Sequence, residues 1–155
     1  MKKQDYNAAI MVNTDSLKAF NAINKVSAWW AEDITGATEQ LNDAFTVYFG
    51  ETYVDFTITA SVPGKKIEWL VTGCYLPWLQ DKQEWKNTRV VFDISAGNNQ
   101  TEIEFTHAGL VPGIECYDGC VKGWDQYFKD SLYRYITEGA GLPQKKKIIT
   151  NAQAV

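Results

Sequence analysis

Histidine, cysteine and proline are scarce in this chain of 155 residues, which has one His, three Cys and four Pro. The cysteines, at positions 74, 116 and 120, are odd in number and do not have the spacing of a disulfide framework. No apolar run near the N-terminus is long enough for a signal peptide, and no stretch approaches a membrane span. We therefore expect a cytoplasmic protein with reduced thiols and no membrane span.

A broad basic surface and cofactor motifs are also missing. The net charge is −4, and Lys145 to Lys147 form the one short basic run, so binding to nucleic acid is disfavoured. The chain has no nucleophile elbow, P-loop or dinucleotide fingerprint, and Gly139-Ala140-Gly141 ends a helical pattern rather than opening one. We predict no cofactor, no metal and no catalytic residue, and an enzyme is the less favoured class.

Aromatic residues are abundant, with six Trp, eight Tyr and seven Phe. This is more than the packing of so short a chain demands. Large rings build cores, but they also line apolar pockets. The aromatic content therefore favours a domain with a ring-lined interior.

The stretch Ile114 to Glu138 has the pattern of a long amphipathic helix. At 100° per residue, its cysteines, most of its rings and Leu132 fall on one side and its charged residues on the other. Pro112-Gly113 precedes it, and Gly139 follows it as a helix-ending residue. The pattern predicts one helix of about seven turns, which needs a large partner surface.

The remaining pattern is mostly strand-like. A strand at Tyr6 to Val12 and two short helices are followed by a polar connection over residues 32–43. At least five strands come next, each with one apolar face, so we expect an antiparallel sheet covered on one side by the long helix. The predicted fold class is α+β, with a single domain over residues 1–143 and a loose C-terminal tail over residues 144–155.

This order of elements resembles the START-like superfamily, whose helix-grip fold wraps a curved antiparallel sheet around a long C-terminal helix. The strings WW at 29–30, TEIEFTHAGL at 101–110 and GWDQYFKDSLYRYITEGAG at 123–141 resemble the branch named after the activator of the ninety-kilodalton heat-shock chaperone's ATPase. The resemblance implies a cavity between sheet and helix that holds an apolar or amphipathic small molecule. Co-chaperones of that branch usually carry a further N-terminal domain, for which 155 residues leave no room, so we expect ligand binding rather than chaperone activation.

The candidate ligand-binding residues are the rings that strand alternation and the helix face direct inward, together with the single histidine. They are Trp29, Trp30, Phe56, Trp69, Trp78, Phe92, Phe105, His107, Tyr117, Trp124 and Phe128. The alternative is that these rings simply fill the core, because pocket walls and cores share composition. His107 either fixes a polar group of the ligand or hydrogen-bonds a backbone carbonyl at the strand end.

Three further features remain open at this stage. Cys116 and Cys120 lie one helical turn apart and can reach a metal together with His107, but core filler is the more common use of such a pair. Gly119 and Gly123 repeat at the same spacing and either permit close approach of a strand or ligand or merely soften the helix. The polar connection from Leu76 to Trp85 holds two Trp and is either a lid, a satellite cluster or a dimer contact.

We therefore expect a carrier or sensor of an apolar or amphipathic small molecule, such as a lipid. Two other classes stay open. One is a protein-interaction or stress-related module of the chaperone-ATPase-activator type, a homodimer included. The other is a cyclase-like enzyme, which would need an acid–base pair such as His107 with Tyr117 or Tyr127.

Overall fold

Alternating apolar residues build a seven-stranded antiparallel sheet, which the computed structural model describes within residues 4–145. The strands are β1 (Tyr6–Val12), β2 (Ile34–Gly36), β3 (Ala44–Phe49), β4 (Thr52–Val62), β5 (Lys66–Tyr75), β6 (Arg89–Ala96) and β7 (Thr101–Ala108). Helices α1 (Ser16–Asn24) and α2 (Val26–Trp29) lie between the first two strands. The predicted α+β helix-grip class is confirmed.

The order of strands in the sheet is β1-β7-β6-β5-β4-β3-β2. Strands β2 to β7 are neighbours in sequence, whereas β1 joins β7 over a long sequence separation, with Tyr6 opposite His107. The edge strand Ile34–Gly36 was not predicted, because three residues are too short to show alternation. The prediction of an irregular connection over residues 32–43 was therefore wrong at this strand.

The two longest strands give the sheet its curvature. Strand β4 has 11 residues and β5 has 10, and their pairing shifts register between Asp55 and Phe56 and again between Ile58 and Ala60. Such bulges bend strands and increase their twist. The sheet thereby curves around the apolar side chains on its inner face.

The C-terminal helix consists of α3 (Tyr117–Trp124), a π-helical segment (Asp125–Leu132) and α4 (Tyr133–Glu138). It begins three residues later than predicted, because Ile114 to Cys116 form turns. The π-helical segment was not predicted, since apolar residues four apart suit both a 3.6-residue turn and the wider π turn. The end at Gly139 is confirmed, with φ of 82°. No helix within residues 4–145 is long and apolar enough to cross a membrane.

The core lies between the inner face of the sheet and the helices. Along β4, Val54, Phe56 and Ile58 are buried, while the residues between them are only partly buried. Phe105 and His107 follow the same alternation on β7. The expectation that one face of the sheet is covered is thereby confirmed.

The segment after the C-terminal helix returns to the short helices. The Gln144 N–H donates to the Trp30 carbonyl at 2.8 Å, and the Glu32 N–H donates to the Gln144 carbonyl at 2.9 Å. Gln144 also forms a parallel bridge with Ala31. The predicted loose tail therefore does not begin at residue 144, and its remaining residues, 146–155, lie outside the described part of the chain.

Candidate functional site

A ring-lined cavity of about 290 Å³ lies beside the first half of the C-terminal helix. Four parts of the chain line it: the end of α2, the end of β3, the connection between β5 and β6, and the C-terminal helix. We call this cavity the aromatic pocket. Its walls are Trp30, Phe49, Trp78, Trp85, Cys116, Gly119, Cys120, Gly123, Trp124 and Tyr127.

The space exists because two helix positions carry no side chain. A Cβ placed on Gly119 or on Gly123 would meet no atom within 4 Å outside the helix's own backbone. Both glycines lie in α3, where each costs about 1 kcal/mol relative to alanine. Tight packing does not require them, so their structural effect is an open slot along the helix.

Three tryptophans form a continuous wall of the pocket. Trp85 stacks on Trp124 with ring centroids 5.9 Å apart and planes at 15°. Trp124 lies 4.8 Å from Trp30, which stacks in turn on the core residue Trp69 at 5.9 Å and 4°. Flat surfaces of this kind favour a planar or aromatic ligand.

The lining offers little charge and little hydrogen bonding. None of the ten lining residues named above is an acid or a base of the Asp, Glu, Lys, Arg or His type. The Tyr127 hydroxyl donates to Gln144 Oε1 at 3.1 Å, and burial raises the pKa of this phenol. Because a charged ligand would lose hydration here without gaining a partner, the pocket suits an uncharged ligand.

His107 lies behind the tryptophan wall, where it is fully buried. Trp124 Nε1–H donates to His107 Nδ1 at 3.0 Å, so the hydrogen of the neutral ring is on Nε2 and points to Thr88 Oγ1 at 2.9 Å. The Thr88 hydroxyl donates to the Trp85 carbonyl at 2.6 Å. Burial lowers the pKa of His107 to about 3. The neutral histidine thus holds Trp124 in place directly and Trp85 through Thr88.

The connection between β5 and β6 is fastened to the start of the C-terminal helix. Glu84 accepts hydrogen bonds from the N–H groups of Cys116 at 2.9 Å and of Glu115 at 3.2 Å. Glu115 accepts one in return from the Gln80 N–H at 2.9 Å. A carboxylate also complements the positive end of the helix dipole. Of the two tryptophans in this connection, Trp85 is buried, whereas Trp78 is 60% exposed at the pocket rim.

The structure separates the predicted ligand-binding residues into three groups. Trp30, Trp78 and Trp124 line the aromatic pocket. Tyr117 lies on a second, polar groove between β1 and the helix. The others are buried in the core and outside the pocket lining: Trp29, Phe56, Trp69, Phe92, Phe105, His107 and Phe128.

The sequence-based list omitted several lining residues, among them Phe49, Trp85 and Tyr127. The repeated Gly119 and Gly123 were a visible signal, since paired helix glycines leave room on one face. Trp85 had a weaker signal as a large ring in a polar connection. Phe49 and Tyr127 had none, because alternation and helix periodicity do not tell a wall residue from core.

Of the residues considered for acid–base or metal chemistry, Cys116, Cys120 and Tyr127 line the pocket, but His107, which both kinds of chemistry would need, does not. Both ring nitrogens of His107 are engaged in hydrogen bonds, and Tyr117 faces the other groove. Within residues 4–145, no group of three or more His, Cys, Asp or Glu side chains is placed to hold a metal ion. The two helix thiols do meet, with their Sγ atoms 2.6 Å apart.

Comparison with solved structures places this geometry among known folds. The solution structure of the Aha1 dimer from Colwellia psychrerythraea is similar with a TM-score of 0.74 and 23% identity, over 89% of this chain and 99% of that one. DynU16, from the dynemicin biosynthetic locus, is similar with a TM-score of 0.65 and 16% identity over 87% of this chain, which spans only 48% of DynU16. CalU16 from Micromonospora echinospora is similar with a TM-score of 0.59 and 11% identity, over 79% of this chain and 70% of that one. At these identities the likeness shows the fold alone.

No curated protein sequence matches the chain significantly. A family model does: the model described as activator of Hsp90 ATPase homolog 1-like protein matches residues 18–137. That stretch runs from α1 to α4 and includes every residue of the aromatic pocket. Such membership supports a module of the ligand-binding or Aha1 type and identifies no ligand. The chain with this glycine-slotted, ring-lined pocket belongs to the family of activator of Hsp90 ATPase homolog 1-like proteins.

Proposed function

We propose that the protein binds an uncharged, apolar or aromatic small molecule in the aromatic pocket and acts as its carrier or sensor in the cytoplasm. One observation carries the proposal: the helix wall is left open at Gly119 and Gly123 although no neighbouring group needs the space. A protein that needed only a filled core would gain stability from alanine at both positions.

The size and lining of the pocket narrow the ligand class. A volume of about 290 Å³ is at the small end of ligand pockets, which suits a molecule of one to three fused or linked rings or a short acyl chain. Such a ligand would lie against the Trp85–Trp124 pair and enter past the exposed Trp78 ring. Apolar burial and ring stacking would supply the binding energy, since charged partners are missing from the lining.

Native mass spectrometry of the freshly purified protein, compared with the denatured mass, tests for a co-purified ligand. Titration with 1-N-phenylnaphthylamine, an uncharged aromatic probe whose fluorescence rises in apolar surroundings, tests the pocket directly. We expect saturable binding to the wild type. The variant Gly123→Leu should weaken it by at least about tenfold, because its side chain would occupy the slot.

The matched control is Gly97→Ala, which lies in the β6–β7 turn far from the pocket, where a Cβ makes only an ordinary contact with the Gln100 carbonyl at 3.6 Å. This variant should bind the probe like the wild type. If Gly123→Leu folds normally and still binds the probe with wild-type affinity, the aromatic pocket is not the binding site.

A second candidate function is contact with a protein partner, a second copy of the chain being the simplest. The observation that favours it is a tyrosine ladder on the outer face of the sheet. Tyr53 lies opposite Tyr48 on β3 and opposite Tyr75 on β5, with ring centroids 6.4 and 6.1 Å apart. Tyr53 and Tyr75 are both partly exposed. Rings of this kind are enriched at protein interfaces.

Sedimentation velocity over a range of concentrations tests this second candidate. A dimer that forms through the ladder should dissociate in the double variant Tyr53→Ser/Tyr75→Ser and persist in Trp78→Ser, which alters the pocket rim. A wild type that stays monomeric at all concentrations argues against self-association. It leaves the proposal of ligand binding untouched, because that pocket lies on the inner side of the sheet.

A further inference from the structure

The two thiols on the pocket wall are arranged for chemistry with each other. Their Sγ atoms lie 2.6 Å apart, and the Cys120 N–H donates to the Cys116 carbonyl at 2.8 Å. The second contact shows that one regular helical turn separates the two residues. Cys116 is buried, with 3% of its surface exposed, whereas Cys120 is half-buried and borders the open pocket.

A bond between these sulfurs requires the first turn of α3 to adjust. Residues four apart in an α-helix have Cα atoms about 6 Å apart, within the usual range for a disulfide, but their Cβ atoms are about 5–6 Å apart, beyond the roughly 3.5–4.5 Å that a disulfide spans. Cys116 precedes the first residue of α3, so oxidation can bring the two Cβ atoms together by loosening this one turn. The third cysteine, Cys74, is buried elsewhere, with its thiol directed to the Lys82 carbonyl at 3.8 Å.

The surroundings assign different roles to the two thiols. The hydrogen bond that they share lowers the pKa of Cys120 and raises the pKa of Cys116, which burial raises further. Trp85 Nε1–H donates to Cys116 Sγ at 3.2 Å and holds this thiol in place. Both cysteines lie at the N-terminal end of the helix, where the helix dipole favours a thiolate and the Glu84 carboxylate, which raises the pKa of both thiols, opposes it. Cys120 is therefore the accessible nucleophile and Cys116 its buried partner.

We propose that Cys116 and Cys120 form a thiol–disulfide exchange site that reacts with small, apolar disulfides admitted through the aromatic pocket. The Cys120 thiolate attacks one sulfur of the disulfide RS–SR, which breaks that bond, releases RS⁻ and leaves a mixed disulfide on Cys120. The Cys116 thiolate then attacks Cys120 Sγ and displaces the second RS⁻. The protein loses two electrons and two protons, and RS–SR gains both to become two RSH molecules.

The pocket supplies the selectivity of this site. A disulfide that reaches the sulfurs through the pocket passes along its tryptophan side chains. A disulfide with an uncharged aromatic substituent should therefore react faster than a charged one of equal intrinsic reactivity. The proposal needs the pocket to be open but needs no resident ligand, so it can be tested independently of the carrier function. The protein could bind a ligand without exchanging disulfides, or exchange disulfides without carrying a ligand, and the experiments distinguish these outcomes.

The experiment uses the whole wild-type protein and 2,2′-dithiodipyridine, an uncharged aromatic disulfide. We expect a fast phase that releases two pyridinethione molecules per chain. Tryptic digestion should then give the fragment 90–122, which contains both helix cysteines but not Cys74. This fragment should be two hydrogens lighter and carry no pyridyl group. A fragment that is unmodified, or that retains one or two pyridyl groups, would overturn the proposal.

Two single variants test the assigned roles. Cys116→Ser should release one pyridinethione and keep a pyridyl group on the fragment, because the resolving thiol is gone. Cys120→Ser should react at least about tenfold more slowly, because the remaining thiol is buried. If Cys120→Ser reacts as fast as the wild type, Cys120 is not the entry point. Cys74→Ser is the matched control and should leave the fast phase unchanged.

Discussion

Two groups of aromatic side chains lie on either side of Trp30. They are similar in composition, but one group fills the core and the other lines a cavity. On the core side, Phe92 contacts Trp69 at 5.0 Å and Phe105 at 5.2 Å, and all three rings are fully buried. On the pocket side, Trp85 stacks on Trp124 around an open cavity. The rings themselves do not make this difference. The two glycines on the facing helix leave room on one side only.

Truncating one ring of each group to alanine should give the largest difference in the free energy of unfolding. Phe105→Ala should lower the free energy of unfolding by about 3–5 kcal/mol, because it opens a cavity among fully buried rings. Trp78→Ala, at the exposed rim, should change it by no more than about 0.5 kcal/mol. Urea denaturation of both variants measures the contrast. Equal losses would mean that the pocket rim is as much a part of the core as Phe105.

The neutral histidine behind the pocket should make stability depend on pH. His107 has a pKa of about 3 in the folded chain and about 6.5 when unfolded, so the unfolded state binds more protons between these values. Its contribution is therefore present above pH 6.5 and is lost as pH falls toward 3. Between pH 7 and pH 5 the loss should be about 2 kcal/mol.

The matched variant for this test is His107→Gln, which does not titrate and which we expect to be less stable at pH 7 because it disturbs the hydrogen bonds to Trp124 and Thr88. Urea unfolding at pH 7, 6 and 5 gives the change in the free energy of unfolding with pH for the wild type and for the variant. Subtracting one slope from the other cancels the titration of the acidic residues, which both proteins share. A wild type and a variant with the same slope would show that His107 can take up its proton without unfolding.

Two fully buried tryptophans allow a finer comparison within the core. Trp29 Nε1–H donates to the Ile23 carbonyl at 3.1 Å, whereas Trp69 Nε1–H is buried without a hydrogen-bond partner in the described structure. Trp29→Phe should therefore cost about 1 kcal/mol more than Trp69→Phe, because only the first substitution breaks a hydrogen bond. Chemical denaturation of both variants measures the difference. A greater cost at Trp69 would imply that its N–H has a partner in solution, such as a buried water.

The smallest expected effects have the opposite sign. Gly119→Ala and Gly123→Ala should each raise the free energy of unfolding by about 0.5–1 kcal/mol, because alanine favours the helix and its Cβ meets open space. Gly97→Ala, in the β6–β7 turn, should gain less, since it has no helix to favour. Thermal unfolding measures all three. A destabilised Gly123→Ala would show that the slot is tighter in solution and would weaken the case for a pocket.

Most of the fold could be predicted from the sequence, because the patterns that indicate strands and helices are local. Alternation directed Phe56 on β4, Phe92 on β6 and Phe105 on β7 inward, where the structure buries them, and Gly139 marked the end of the C-terminal helix. The candidate site was harder to predict. Trp30 and Trp124 line the pocket, but Phe92 and Phe105, which have the same pattern, are in the core. Burial on an inner face is a property that walls and cores share.

The sequence by itself determined the strands of six or more residues, the end of the C-terminal helix and the identity of the inward faces, since these depend on residues two to four positions apart. Only the tertiary structure decided where a space remains. That space depends on how the end of α2, the end of β3 and the β5–β6 connection approach a helix face with no side chains at Gly119 and Gly123. The same packing holds His107 between Trp124 and Thr88, whose hydrogen bonds use both of its ring nitrogens. Distances between segments far apart in the chain follow from packing of the whole domain, which no local period encodes.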